Sequence, residues 1–182
     1  MNIPTTKLTY QDYLLLPEDG KRYEIIEGDL YMTPAPTTRH QIIVARLSHV
    51  LMTYLESHQI GTVLTAPCDV VLSDTDIFQP DLLLVLNEGS ARITEKNIQG
   101  PPDLIIEILS PGTAARDQEL KRKRYEHFAV GEYWLIDPDR NTMEVLRLEE
   151  DRYVRLCLAT RPSECTSPLF PNLTIDLDWL LK

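Results

Sequence analysis

Two short apolar runs, each carrying a single carboxylate, most strongly constrain how this 182-residue chain can fold. Residues 81–86 read DLLLVL, and residues 104–109 read LIIEIL. A proline precedes each run, and neither run alternates polar with apolar residues. This pattern is typical of strands buried on both faces of a sheet. The runs therefore predict neighbouring central strands that each bring one acid into the interior.

Glu107 is the more constrained of the two acids. Side chains alternate between the faces of a strand, so Glu107 shares a face with Ile105 and Leu109 and is flanked by hydrocarbon. An ionised carboxylate in such a place needs a cation, a metal ion or a set of hydrogen bonds, because burying it alone costs several kcal/mol. Asp81 is the first residue of its strand, so the sequence leaves open whether it is buried or lies at the strand end.

The charged helix after the second run offers a cation. At about 100° per residue, one narrow sector of this helix holds Ala114, Asp117, Lys121, Tyr125 and Phe128. Lys121 lies in the middle of the face that must pack on the sheet. Asp117 stands four residues earlier and is a possible ion-pair partner. The pattern leaves a structural ion pair and a catalytic cluster equally open.

The rest of the chain predicts a scaffold for these strands. Residues 22–33 indicate an N-terminal hairpin, and residues 131–158 indicate strands that end in a C-terminal β meander. An apolar stripe from Ile43 to Tyr54 predicts a long helix, with Thr38 and Gln41 as its capping box. The polar stretch 87–100 predicts a mobile loop over the mouth of the site.

Two residues of this scaffold are candidate accessory groups. Glu24 lies in the hairpin, where it is either a further acid of the site or a surface charge. His40 lies in the first turn of the long helix. A lone histidine in that position packs or caps more often than it contacts phosphate or metal. His49, His58 and His127 show no metal-ligand spacing.

Composition sets the class and the compartment. The chain has 43% hydrophobic and 25% charged residues, and no repeat or linker divides it, so it predicts a single domain over residues 1–182. Cys68, Cys157 and Cys165 are an odd number of cysteines and show no CxxC spacing, which favours reduced cysteines and a cytoplasmic protein. No run is apolar for long enough to span a membrane, and the first ten residues contain no signal-peptide core.

The net charge of −10 argues against a nucleic-acid partner, since proteins that bind nucleic acid usually contact its phosphates with Lys and Arg and are therefore basic. Bound metal ions would offset part of the local negative charge. A homodimer could gather small basic patches from two subunits.

Spaced motifs between Tyr23 and Pro138 carry a resemblance to a known family. They are YEIIEG at 23–28, MTPAP at 32–36 with His40, PD at 80–81, EILSP at 107–111, then Asp117, Lys121, Tyr125 and GEYWLIDP at 131–138. With them the chain resembles the bacterial Uma family of the PD-(D/E)XK nuclease superfamily. The resemblance implies an α/β fold with a restriction-endonuclease-like core, in which helices flank a central mixed β-sheet. The superfamily lysine two places after the glutamate is Leu109 here, and the family's lysine lies on the following helix, at Lys121.

The resemblance also implies a chemistry. A metal-dependent endonuclease would hold Mg²⁺ or Mn²⁺ with Asp81, Glu107 and the carbonyl of Ile108, since hard divalent ions prefer oxygen ligands. Lys121 would orient the attacking water or neutralise developing charge, and Glu24 and His40 would assist. The expected substrate is nucleic acid, in the first instance DNA. The alternative is a catalytically silent binding or regulatory protein on the same fold. A two-carboxylate glycosidase is a weaker third hypothesis, because it does not call for a buried lysine.

Overall fold

The computed structural model describes residues 6–182 and arranges them around a central β-sheet. The part of the single-domain prediction that concerns residues 1–5 lies outside the described residues. The helices and strands follow one another in this order: α1 Tyr10–Tyr13, β1 Arg22–Ile26, β2 Asp29–Thr33, α2 Thr38–His58, β3 Gly61–Thr65, β4 Val70–Ser73, β5 Asp76–Phe78, β6 Leu82–Leu86, β7 Arg92–Ile93, β8 Ile98–Gln99, β9 Leu104–Ile108, a π-helical segment Arg116–Lys121, α3 Arg122–His127, β10 Glu132–Asp137, β11 Thr142–Glu149, β12 Arg152–Thr160, β13 Glu164–Thr166, β14 Thr174–Asp176 and α4 Leu177–Leu180.

The central sheet has the strand order β12-β11-β10-β9-β6-β3. Strands β9 and β10 pair in parallel, while their neighbours pair antiparallel, so the sheet is mixed as predicted. All five residues of β9 and the first four of β6 are buried. The two apolar runs are therefore central strands, and the predicted α/β fold is confirmed.

A second six-stranded sheet has the order β2-β1-β5-β4-β8-β7. It begins with the predicted hairpin, in which β1 pairs with β2 from Arg22 opposite Thr33 to Ile26 opposite Asp29. Strand β5 then pairs with β1 through Ile25 and Ile77. This contact joins residues about fifty positions apart and brings the hairpin over the central sheet. The C-terminal meander is also present, but it forms half of the central sheet rather than an appendage to it.

Each face of the central sheet packs in its own hydrophobic core. One core joins the sheet to α2, α4 and the C-terminal segment, through residues such as Leu47, Leu51 and Leu180. The other core joins the opposite face to the second sheet and to α3, through residues such as Phe78 and Tyr125. Because side chains alternate along a strand, Ile105 and Leu109 point into the second core, and Glu107 points the same way.

Three local expectations were wrong. Helix α2 begins one residue earlier than predicted, since the hydroxyl of Thr37 accepts the hydrogen bond from the His40 amide and is the N-cap. Residues 87–100 are not simply a loop, because they contain β7 and β8 at the edge of the second sheet. Cys157 and Cys165 form a disulfide, and only Cys68 is a free cysteine among residues 6–182. Spacing could not reveal this pair, because the chain reverses between β12 and β13.

Among residues 6–182, none of the helices is both long enough and apolar enough to cross a membrane.

Candidate active site

The pairing of β6 with β9 brings Asp81 and Glu107 together. Leu82 lies opposite Ile106 in this antiparallel pair, so the next position outward sets Asp81 opposite Glu107. Each of the two residues is 4% exposed. The predicted convergence of two acids from neighbouring strands is present in the structure.

Asp81 uses one of its oxygens to connect three elements. Its Oδ2 atom accepts a hydrogen bond from the amide of Ile108 at 2.9 Å and lies 2.9 Å from Nε2 of His40. Its Oδ1 atom meets only long contacts of 3.4 Å from both terminal nitrogens of Arg22. Burial opposes ionisation of Asp81, but the hydrogen bonds from His40 and Ile108 and the nearby positive charge outweigh it and lower the pKa of this carboxyl group. Asp81 is thus held as a carboxylate.

Glu107 also commits a single oxygen to protein contacts. Its Oε1 atom accepts from Nζ of Lys121 at 3.0 Å and from the hydroxyl of Tyr125 at 3.1 Å, and neither donor contacts Oε2. Burial, together with the negative charges of Asp117, Asp81 and Glu24, raises the pKa of Glu107 to about 8 against the opposing effect of Lys121. Glu107 therefore takes up a proton near neutral pH unless another cation joins the site.

Lys121 lies at the centre of an ion-pair cluster. Its Nζ atom is 2.7 Å from Glu24, 3.0 Å from Glu107 and 3.4 Å from Asp117. Burial works against the charge on this lysine, but the three carboxylates outweigh burial and raise its pKa. Lys121 contacts both Asp117 and Glu107, so the structure contains the structural ion pair and also the contact that a catalytic cluster would require.

The π-helical segment Arg116–Lys121 helps to place these groups. Asp117, Lys121 and Tyr125 are all buried, as the helical-face prediction required. The amide of Asp117 bonds to the Thr113 carbonyl, and the carbonyl of Asp117 accepts from the hydroxyl of Tyr133 on β10 at 3.0 Å. This contact fixes the segment against the sheet. A π-helical turn inserted in a helix is frequent at functional sites.

Glu24 and His40 both reach the site. Glu24 is 1% exposed, so its alternative as a surface charge of the hairpin was wrong. Its Oε1 atom accepts from the Gln79 amide at 3.0 Å as well as contacting Lys121. Its Oε2 atom is buried and accepts no hydrogen bond from any group of residues 6–182. His40 is 7% exposed and contacts Asp81.

Two arginines of the site were missed from the sequence. Arg22 lies 3.4 Å from Asp81, and Arg116 lies 3.7 Å from Glu24. Arg22 and Glu24 are two positions apart on β1, so they share a face, and that alternation could have indicated Arg22. No comparable signal marks Arg116, which would have been assigned to an exposed helix face.

The acids line a cavity of about 200 Å³ between the end of β2, the start of α2 and the π-helical segment. The lining residues that carry charge are Arg22, Asp81, Glu107, Arg116, Asp117 and Lys121, together with His40. With Glu24 behind them, four carboxylates face three permanent cations. Residues 87–100 line neither this cavity nor the larger one beside it, so they do not cover the site mouth.

The donor set fits a small divalent cation. Over residues 6–182, no three His, Cys, Asp or Glu side chains are grouped as a ready-made metal site. Mg²⁺, however, is often held by only one or two carboxylates and keeps several waters. Asp81 and Glu107 each leave one oxygen with no short hydrogen bond from the groups described above, and the local excess of negative charge favours a cation. Ile108 contributes its amide to Asp81 and lines the same cavity.

Comparisons with known proteins place the chain among nuclease-like folds. Residues 10–178 match the Uma2 family, described as "Putative restriction endonuclease". A Synechocystis sp. protein, "Uncharacterized protein slr1290", is 25% identical over an alignment of 142 residues that covers 73% of this chain and 70% of that protein. The crystal structure of "a putative nuclease belonging to DUF820 from Anabaena variabilis" superposes with a TM-score of 0.79 at 23% identity, covering 96% of this chain and 97% of the other. This superposition supports the restriction-endonuclease-like core.

Proposed function

Because this chain belongs to the Uma2 family of restriction-endonuclease-like proteins, we propose that it is a divalent-metal-dependent endonuclease that hydrolyses phosphodiester bonds in nucleic acid. The observation that carries the proposal is that the two oxygens of each acid have different contacts. Asp81 and Glu107 each accept their short hydrogen bonds through one oxygen, and the second oxygen, which on Asp81 meets only the two 3.4 Å contacts from Arg22, would bind a ligand. Mg²⁺ or Mn²⁺ bound there would lower the pKa of a coordinated water and polarise the phosphoryl oxygen.

The surrounding residues have distinct proposed tasks. Lys121 and Tyr125 hold Oε1 of Glu107, so the carboxylate keeps one orientation towards the cavity. Arg22 and Arg116 line that cavity and can donate to the phosphoryl oxygens, whose negative charge grows in the transition state. His40 fixes Asp81 and lies where it can pass a proton to or from the reacting phosphate. Ile108 is the proposed backbone ligand of the metal.

We further propose DNA as the first substrate to test. The Cys157–Cys165 disulfide counts against a reducing compartment, since disulfides are rare in the cytosol. A homodimer would bring two sets of Arg22 and Arg116 to one nucleic-acid molecule. We also propose that residues 1–182 form a single domain.

The deciding experiment measures cleavage and metal binding on the same variants. Wild-type protein with Mn²⁺ should cut nucleic acid, and both Asp81→Asn and Glu107→Gln should reduce the rate by at least about a thousandfold, a loss typical of removing a central catalytic group. Calorimetric titration should show that both variants also lose Mn²⁺ affinity. Glu132→Gln is the matched control, because Glu132 is a 2%-exposed acid on the neighbouring strand β10 that bonds to Trp134 and Ser167.

The two competing functions give different outcomes. Metal binding that depends on Asp81, without cleavage of single-stranded, duplex or branched DNA or of RNA, would identify a catalytically silent binding protein. If Asp81→Asn and Glu107→Gln change neither metal binding nor cleavage, the site has been assigned wrongly.

A further inference from the structure

A second and larger cavity adjoins the acids. It encloses about 650 Å³, within the roughly 300–1,000 Å³ of small-ligand pockets. Its walls come from the start of β1, the link between β2 and α2, the first turns of α2, and residues 66–67. Arg22, His40 and Asp81 line both this cavity and the smaller one. A molecule bound by the acids would therefore extend naturally into the larger cavity.

The lining of this cavity is mainly apolar, with polar atoms at defined points. Its apolar residues are Met32, Pro34, Ala35, Pro36, Val44, Ala66 and Pro67. Three lining residues carry a buried polar atom to which no other group of residues 6–182 hydrogen-bonds, namely Arg22 at Nε, His40 at Nδ1 and Gln79 at Oε1. Arg22, His40 and Gln79 thus bring side chains that can form hydrogen bonds to a mainly apolar wall. A nucleobase has a matching form, with an apolar face and polar edges.

The depth of the acids limits how a substrate can reach them. Asp81 and Glu107 are each 4% exposed, so a phosphodiester on the outside of an intact duplex would have to enter the recess that these acids line. Base-acting enzymes solve a similar problem by taking the nucleotide out of the stack. The net charge of −10 also argues against duplex binding, which relies on Lys and Arg side chains that neutralise phosphates.

Resting on the proposed endonuclease activity, we infer that the substrate is an unpaired nucleotide of a nucleic-acid strand, with its base in the 650 Å³ cavity and its phosphodiester at Asp81 and Glu107. Exposed Lys21 and half-buried Arg22 stand at the same cavity and can contact the adjoining phosphates. Intact duplex then lacks a base to insert and is a poor substrate.

The first test compares substrates on wild-type protein with Mn²⁺. One sequence is presented as single-stranded DNA, as RNA, as duplex and as a strand with one abasic position. A diester without a base, methyl p-nitrophenyl phosphate, reports the chemistry alone. Unpaired strands should be cut at least about tenfold faster than duplex, and cleavage at the abasic position should fall by a similar factor, as expected for the loss of one base contact.

The second test fills the cavity. Val44 lines the larger cavity but not the smaller one, so Val44→Trp should lower the ratio of strand cleavage to small-diester hydrolysis by at least about tenfold. Val50→Trp is the matched control, because Val50 is another half-buried valine of α2 that lines a depression beside Trp179. Should Val44→Trp fail to fold, Gln41→Trp places the same bulk at an exposed position of the same cavity.

The outcomes separate this inference from the proposed function. If no strand and no small diester is hydrolysed, the endonuclease itself is refuted and the inference falls with it. If the protein cleaves duplex as fast as unpaired strands, and if Val44→Trp leaves the ratio unchanged, the endonuclease stands and the nucleotide cavity is refuted.

Discussion

At the scale of single residues, the site has more buried acids than its cations can neutralise. Lys121 is 3% exposed and contacts Glu24, Glu107 and Asp117 with one ammonium group. Removing one partner of a buried ion pair leaves an uncompensated charge and is strongly destabilising. The cluster therefore supports the fold as well as the proposed chemistry, and a fall in activity after changing Lys121 would not by itself identify a catalytic role.

Glu107 offers a cleaner residue-scale prediction, because its pKa is raised to about 8. Below pH 8 the carboxyl group is protonated and must release its proton before it can bind a metal ion. Mn²⁺ affinity should thus weaken by roughly tenfold for each pH unit below 8 and level off above it. Asp81 adds little to this slope near neutrality, since its pKa is lowered.

Isothermal titration in buffers of different ionisation enthalpy measures both the affinity and the proton release. About one proton should leave per bound Mn²⁺ at pH 6. The Glu107→Gln variant should bind more weakly and lose the pH slope. An unchanged slope in this variant would assign the released proton to another group.

At the scale of elements, the π-helical segment Arg116–Lys121 sets the angle between Asp117, Lys121 and Tyr125. A π turn carries one residue more than the α-helical turn it replaces, so deleting one residue should return the segment to α-helix. The residues after the deletion should then rotate by about 100° around the helix axis relative to the residues before it. Glu119 is exposed and is suitable for deletion.

Deletion of Glu119 should therefore separate Lys121 from Glu107 and lower the free energy of unfolding by about 3 kcal/mol, as for a broken buried ion pair. Urea unfolding followed by circular dichroism measures this loss, and strand cleavage should disappear with it. Glu119→Ala is the control, because it changes the same position without changing the length. Equal stability of the deletion variant and this control would show that the π turn does not set the cluster.

The elements also show why part of the site could be predicted and part could not. Strand alternation was enough to predict the burial of Glu107, and the helical face was enough to predict that of Lys121, since both rules are local. Asp81 was singled out by the PD motif of the family resemblance. Glu24 stayed open because its burial depends on the pairing of β1 with β5. The same long-range pairing buries Asp76, whose contact with Arg124 at 2.9 Å no turn pattern indicates. Contacts made by sheet assembly were the ones that local pattern missed.

At the scale of the whole molecule, the chain has a net charge of −10, although the site itself contains a few cationic side chains. Arg22 and Arg116 line the acid cavity, whereas the net negative charge of the whole chain repels a polyanion. Proteins that bind duplex DNA release one counterion for nearly every phosphate contact, so their affinity falls steeply with salt. A protein that binds one nucleotide in a recess releases few counterions. Added salt also screens the repulsion between the negatively charged protein and the nucleic acid.

Binding of a single-stranded oligonucleotide to the Asp81→Asn variant should therefore depend weakly on salt. We expect the slope of log K against log salt to be shallower than about −2, since about two cationic side chains reach the phosphates and each contributes roughly −0.7 on single strands. Fluorescence anisotropy from low to physiological salt measures this slope. Arg116→Gln should reduce it further, while Arg155→Gln, at an exposed pair with Glu144 on the meander, should not. A slope as steep as that of a basic duplex-binding protein would instead require a second, extended binding surface, as a dimer could provide.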